Sequence, residues 1–312
     1  MQRMSAAGRI AAFGAALTVA FAGAYAAGAA FVPDGTAASW QARSEHSDAH
    51  GPHTDGTHTD GTPAGLSLSR DGYLLAPVQA PGTPGVDGRL SFTVLGPSGA
   101  PLRDYASTHD RDMHLMVVRT DGSGFRHVHP QLDRDTGVWS LPWRWERAGT
   151  YRVFTDFQPE DTKDAPALTL SRTVEVAGAM SPTEPGPVRN ASEVDGYTVT
   201  LTGDLTAGAT APLTAEFSRG GEPVTELSPY LGAFGHLVAL REGDLAFLHV
   251  HPTGAEPAPG SRGGPAISFA AQAPTSGRYL LYLDFQVDGR VHTATFVVDA
   301  AAAPRNVSAE NP

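Results

Sequence analysis

The chain contains no cysteine. That excludes disulfides, thiolate ligands, catalytic thiols and a lipid anchor on Cys. Any metal site must then use imidazole, carboxylate, thioether or backbone oxygen. Basic residues are also scarce: 22 Lys and Arg stand against 33 Asp and Glu, a formal net charge of −11. Nucleic acid is a poor partner for such a chain, because phosphate binding needs a basic face. No convincing 3.6-residue apolar period runs through the sequence, and no Gly-x-Ser-x-Gly nucleophile motif is present. What is plentiful is Gly (35) and Pro (25) in 312 residues, which favours many turns and short strands.

Long apolar runs are missing except at the start. Arg3 and Arg9 precede an apolar stretch from Ile10 to Val32. Residues 1–33 therefore read as a signal peptide, with Ala24-Tyr25-Ala26 as a cleavage site, or as an uncleaved single-pass anchor with its N-terminus in the cytoplasm. Both readings export the rest of the chain, to the cell envelope or, if cleaved, as a secreted protein. Residues 34–63 read as a disordered linker rich in Ser, Thr, Gly, Asp and His. It carries His46, His50, His53 and His58, a tract able to hold metal loosely or to serve simply as a soluble spacer.

One pattern then occurs twice. Residues 114–130 read HLMVVRTDGSGFRHVHP and residues 236–252 read HLVALREGDLAFLHVHP. The offsets 236 − 114, 249 − 127 and 251 − 129 are all 122. A second match joins AGTYRVFTDFQ (148–158) to SGRYLLYLDFQ (276–286) at an offset of 128, so the intervening loop is longer in the second copy. The expected organisation is two tandem β-sandwich repeats, at 64–178 and 189–300, with a Pro-rich linker at 179–188 and a disordered tail at 301–312. Strands are expected at Leu90–Leu95, His114–Arg119, Phe125–His129, Tyr151–Phe157 and Leu168–Val176. In the second repeat they are expected at Tyr197–Leu201, Leu213–Phe217, His236–Arg241, Phe247–His251, Tyr279–Phe285 and Thr293–Val298.

Side chains at i and i+2 of a strand share a face, so His127 and His129 are neighbours, as are His249 and His251. A two-residue turn at Asp121-Gly122 makes paired positions sum to 243 and sets His114 opposite His129 and Met116 opposite His127. A turn at Gly243-Asp244 gives 487, with His236 opposite His251 and Val238 opposite His249. Directly opposed Cβ atoms lie about 4.5–5.5 Å apart. Each hairpin can therefore bring three imidazoles to one ion, an arrangement suited to zinc or copper. The first repeat adds His109 and the Met116 thioether, where the second has Leu231 and Val238. Asp156 and Asp284 are candidates to orient an imidazole from behind. His292 reads as a lone surface residue. The bland alternative is a buried histidine network that fastens the end of a sandwich through hydrogen bonds.

The pieces His109-x4-His114-Leu, His127-Val-His129-Pro, Tyr230-Leu-Gly-Ala-Phe-Gly-His236 and His249-Val-His251-Pro resemble a group of exported bacterial β-sandwich proteins described as heavy-metal-binding or YtkA-like. The resemblance implies an immunoglobulin-like or cupredoxin-like all-β fold and an association with copper handling. Phe234 stands where such proteins often place Met. Three functions follow as expectations: a non-catalytic envelope protein that sequesters or passes on copper or zinc, a metal-free module that presents loops to another envelope protein, and a metalloenzyme, for which no general base or substrate-pocket signature is evident.

Overall fold

The structure is a computed structural model that describes residues 64–161, 165–248, 250–258 and 260–303. The leader at 1–33, the tract with His46, His50, His53 and His58, the side chain of His251 and the whole of His249 lie outside the described residues. Among the described residues there is no helix.

The first repeat contains β1 (Ser69–Arg70), β2 (Tyr73–Leu75), β3 (Gly88–Leu95), β4 (Tyr105–Ala106), β5 (His114–Arg119), β6 (Arg126–Val128), β7 (Gln131–Asp133), β8 (Val138–Trp143), β9 (Gly149–Pro159) and β10 (Leu168–Val176). The second contains β11 (Ala191–Val194), β12 (Tyr197–Thr202), β13 (Leu205–Thr206), β14 (Thr210–Arg219), β15 (Glu222–Pro223), β16 (Gly235–Arg241), β17 (Phe247–Leu248), β18 (Val250–Pro252), β19 (Ala266–Gln272), β20 (Gly277–Val287) and β21 (Arg290–Ala301). The sheets run β1-β2-β3-β8-β7 and β10-β9-β5-β6 in the first repeat, and β11-β12-β14-β19-β18 and β13-β21-β20-β16-β17 in the second. The fold is all-β, two sandwiches in tandem. Ala301, expected in the tail, still belongs to β21.

The outer strands alternate as one-sided strands must. On β3, Leu90, Phe92 and Val94 are buried while Ser91 and Thr93 are half-buried. The β5 strand differs, because all six of its residues are buried. Its odd residues, Leu115 and Val117, belong to the first sandwich core with Phe92, Trp139 and Val153. Its even residues face the other way. Met116 and Val118 join Phe154, Val238, Leu240, Leu280 and Tyr282 in a third apolar cluster that lies between the repeats. The β16 strand does the same from the other side, with Leu237 and Ala239 in the second sandwich core. Two inner sheets thus pack face to face, and the outward faces of the two histidine hairpins meet at that seam.

Contacts along the seam are close. Gly122, at φ +78°, lies so near the second repeat that a Cβ there would sit 2.2 Å from Leu280 Cδ1. The Tyr282 hydroxyl donates to the Gly122 carbonyl at 2.6 Å, and the Phe125 and Tyr282 rings stack with centroids 4.0 Å apart. The chain enters along the same seam: Phe247 N–H donates to Ala64 C=O at 2.9 Å, and Ser171 Oγ donates to Gly65 C=O at 2.6 Å. The Pro-rich linker is held too, since the Thr183 N–H donates to Asp121 Oδ2 at 2.7 Å and Arg119 Nη2 donates to Ser181 C=O.

Four expectations need correction. The first hairpin does not turn on Asp121-Gly122: Gly122 N–H donates to Arg119 C=O at 2.8 Å and Arg119 N–H to Ser123 C=O at 3.0 Å, which centres the turn on Thr120-Asp121. The Phe247–His251 stretch is not one strand. It splits, and β18 crosses to the other sheet, where His251 pairs with Ala270 rather than with His236. The first repeat makes the same crossing later, after His129, between β6 and β7. The turn of the second hairpin spans Glu242 to Leu245, closed by Arg241 N–H to Ala246 C=O at 3.0 Å, instead of the two residues Gly243-Asp244. Lastly, His292 is not a surface residue: it is 5% exposed, because it shares the inward parity of Ala294 and Phe296 on β21. Its Nδ1 lies 2.7 Å from Asp195 Oδ2.

Candidate metal centre

The site begins with two tight turns. Thr108–Arg111 and Tyr230–Ala233 occupy matching places, and each is closed by reciprocal backbone hydrogen bonds of 2.8–3.2 Å. Both central residues of each turn have positive φ: His109 and Asp110 at 49° and 60°, Leu231 and Gly232 at 54° and 73°. That is the type I′ pattern. Each turn offers one carbonyl inward. His114 Nε2 donates to Thr108 C=O at 2.9 Å, and His236 Nε2 donates to Tyr230 C=O at 2.7 Å. A carbonyl only accepts, so Nε2 carries the proton and Nδ1 the lone pair in both rings.

His127 is fixed from behind. Its Nδ1 donates to Asp284 Oδ2 at 3.0 Å, which leaves the lone pair on Nε2. Asp284 belongs to β20 of the second repeat, so the carboxylate that sets this tautomer comes from across the seam. Thr293 Oγ1 holds the other Asp284 oxygen at 2.6 Å. In the first repeat, Thr169 donates to Asp156 at 2.7 Å. Asp156 sits opposite His114 on the neighbouring strand.

With His127 neutral, the consequence is a contact with no proton to share. His114 Nδ1 and His127 Nε2 lie 3.1 Å apart, and both are acceptors. His129 Nε2 lies 3.3 Å from His114 Nδ1. Ligand nitrogens of the three rings fall within 4.8 Å of one another. A tetrahedral ion with bonds of about 2.05 Å would hold such nitrogens about 3.3 Å apart, so the donor set fits zinc or copper.

Burial disfavours the charged form of His114, His129 and His236. Desolvation pushes the His114 imidazolium down to about 4, opposed by the Thr108 carbonyl and reinforced by the charge of His127. His129 falls furthest, to about 2, through desolvation and then its neighbours His127 and His114. His236 is held at about 4 by desolvation against the Tyr230 carbonyl. Neutral imidazole is the form that binds metal.

Of the residues the sequence singles out, the structure gathers His114, His127 and His129 into one group. His236 lies beside that group, its ring centroid 6.4 Å from His127 and 5.5 Å from His109. Met116 pairs with His127 in register, but its side chain packs in the apolar seam. Of the expected His236, His249, His251 cluster, only His236 has a described side chain. Sequence reasoning missed the carbonyls of Thr108 and Tyr230. The recurrence of His-Asp and Leu-Gly, both turn-compatible pairs, five residues before a histidine was the available signal.

A protein-family profile described as a domain of unknown function (DUF8832) matches the chain twice, over residues 69–177 and 192–302. The heavy-metal-binding, YtkA-like group that the motifs resemble is not the family matched. No curated protein matches the chain. Among solved structures, similarity extends to the bacterial integrin-binding protein invasin, at 12% identity and a TM-score of 0.23 over 75% of this chain and 39% of that one. Salmonella alpha-2-macroglobulin reacted with methylamine is 17% identical at a TM-score of 0.25, over 80% of this chain and 16% of its own. The fibronectin(III)-like modules of Clostridium thermocellum CbhA are 11% identical at a TM-score of 0.20, over 74% and 95%. The chain thus spans well under half the length of the first two.

Proposed function

The chain belongs to the DUF8832 family, whose domain it carries twice, and we propose that it is a metal-binding protein that holds copper or zinc at His114, His127 and His129. One observation carries the reading: two buried ring nitrogens with no proton between them lie 3.1 Å apart, and a third is within reach. A cation between the rings relieves that contact, as would a proton, which the burial of His114 disfavours on that ring. The seam position, with Asp284 behind His127, suits retention and transfer of an ion. Placement in the cell envelope follows from the expected leader.

The test is calorimetric titration of the chain with Cu²⁺ and Zn²⁺ in a background where His46, His50, His53 and His58 are alanine. The parent should bind tightly, and the His114→Ala, His127→Ala, His129→Ala triple variant should not. Equal binding by both would end the proposal. A metal-free module is the second reading, favoured by the extent of the apolar seam, which holds the repeats together without any ion.

A further inference from the structure

We infer that His109 and His236, one imidazole from each repeat, hold a second ion of the same chemical class beside the inner three. This rests on the reading that the inner three bind metal. His236 is the counterpart of His114 in the second repeat and hangs from the matching turn carbonyl. Its tautomer is fixed in the same way, so Nδ1 is a lone-pair donor. The residue is only 9% exposed, and among the described residues that nitrogen has no hydrogen-bond partner. It is also not among the fully buried atoms left without a partner, so the lone pair is open to an ion arriving from outside.

His109 is what faces it. The two rings are edge-to-face with centroids 5.5 Å apart, and His109 also lies 5.9 Å from His114. It is thus the imidazole that touches both the inner group and His236. It is exposed, so an ion from solvent reaches it first. It stands at a left-handed position (φ 49°), where a non-glycine side chain is uncommon. The matching turn carries Leu231, so the first repeat alone supplies an imidazole here. His109 lines a surface depression with Asp110, Phe234 and Glu256, and two carboxylates at such a mouth concentrate cations. Two nitrogen donors suit a monovalent ion of the copper group, which is stable with two ligands, better than zinc, which takes four.

The probe is Ag⁺, a redox-inert stand-in for Cu⁺, added to the full chain in the same tract-substituted background. Bound silver is then measured after desalting. The parent should retain two ions, and His109→Ala and His236→Ala one each, while the inner triple variant loses the other. His109 is exposed, so its variant decides the matter even if the His236 variant fails to fold. A parent that retains one ion, lost in the triple variant and unaffected by His109→Ala, leaves the inner site standing and overturns the outer one. Retention of two ions by both single variants also overturns it. A parent that binds no silver overturns the outer site, while the inner reading stands or falls on the Cu²⁺ and Zn²⁺ titration.

Discussion

At the scale of single residues, the site depends on groups that never touch the ion. Thr108 and Asp284 decide which nitrogen of His114 and His127 presents its lone pair. Asp284→Asn should weaken metal affinity by about 10–100-fold, the usual cost of losing an orienting carboxylate, while the metal-free protein stays folded. Calorimetry on the variant checks this, and unchanged affinity would show that the carboxylate has no orienting role. The histidines also set a pH dependence. An imidazole in the unfolded chain titrates near 6.5, whereas His114 and His236 in the folded chain titrate at about 4. Between these values the unfolded chain binds more protons, so stability is full above pH 6.5 and drains as pH falls toward 4. The loss is on the order of 3 kcal/mol for each of the two rings. Denaturant melts of the metal-free protein at pH 7 and pH 4.5 should show it; equal midpoints would mean that these rings are not buried neutral. Depressed carboxylates such as Asp121, whose Thr183 and Ser123 hydrogen bonds outweigh its burial, add a further loss at lower pH.

At the scale of elements, the hairpins divide what a sequence can and cannot reveal. Register was legible: Leu115 pairs with Val128 and Met116 with His127, and Ala239 pairs with Leu248, the expected sums of 243 and 487. Strand parity and a turn fix these locally. The β8 and β19 strands were not legible. One carries Pro142 and the other is alanine-rich, so neither shows the β-branched alternation that marks a strand. The early crossing of β18 was hidden for a different reason. His249-Val-His251-Pro copies His127-Val-His129-Pro residue for residue, and what differs is how far along the motif the chain leaves for the other sheet. Similarly, both faces of β5 are buried, and its sequence does not name the partner of the second. At the seam, Tyr282→Phe should cost about 1 kcal/mol through the lost bond to Gly122 and leave metal affinity intact. Gly122→Ala should cost more, because φ is +78° and Leu280 stands in the way. Chemical denaturation of both variants gives the order; a neutral Gly122→Ala would mean the seam is looser than described.

At the scale of the whole molecule, the described histidines form one group that draws on both repeats. The first repeat provides the hairpin with His114, His127 and His129, and the second provides the carboxylate behind it and the His236 imidazole beside it. A first repeat produced alone would bare Met116, Val118, Phe125 and Phe154. An exposed apolar face of this kind promotes association. Sedimentation should therefore find the isolated repeat self-associated, and its metal affinity should be lower than that of the tandem chain. A monodisperse, fully active single repeat would contradict this.

The entry of the chain along the seam has a mechanical meaning. Ala64 and Gly65 are bonded to Phe247 of one repeat and Ser171 of the other, and Gly65 is wedged against Phe154 and Phe247. Tension on a tether attached upstream would thus bear first on the join between the repeats, the same join that places Asp284 behind His127.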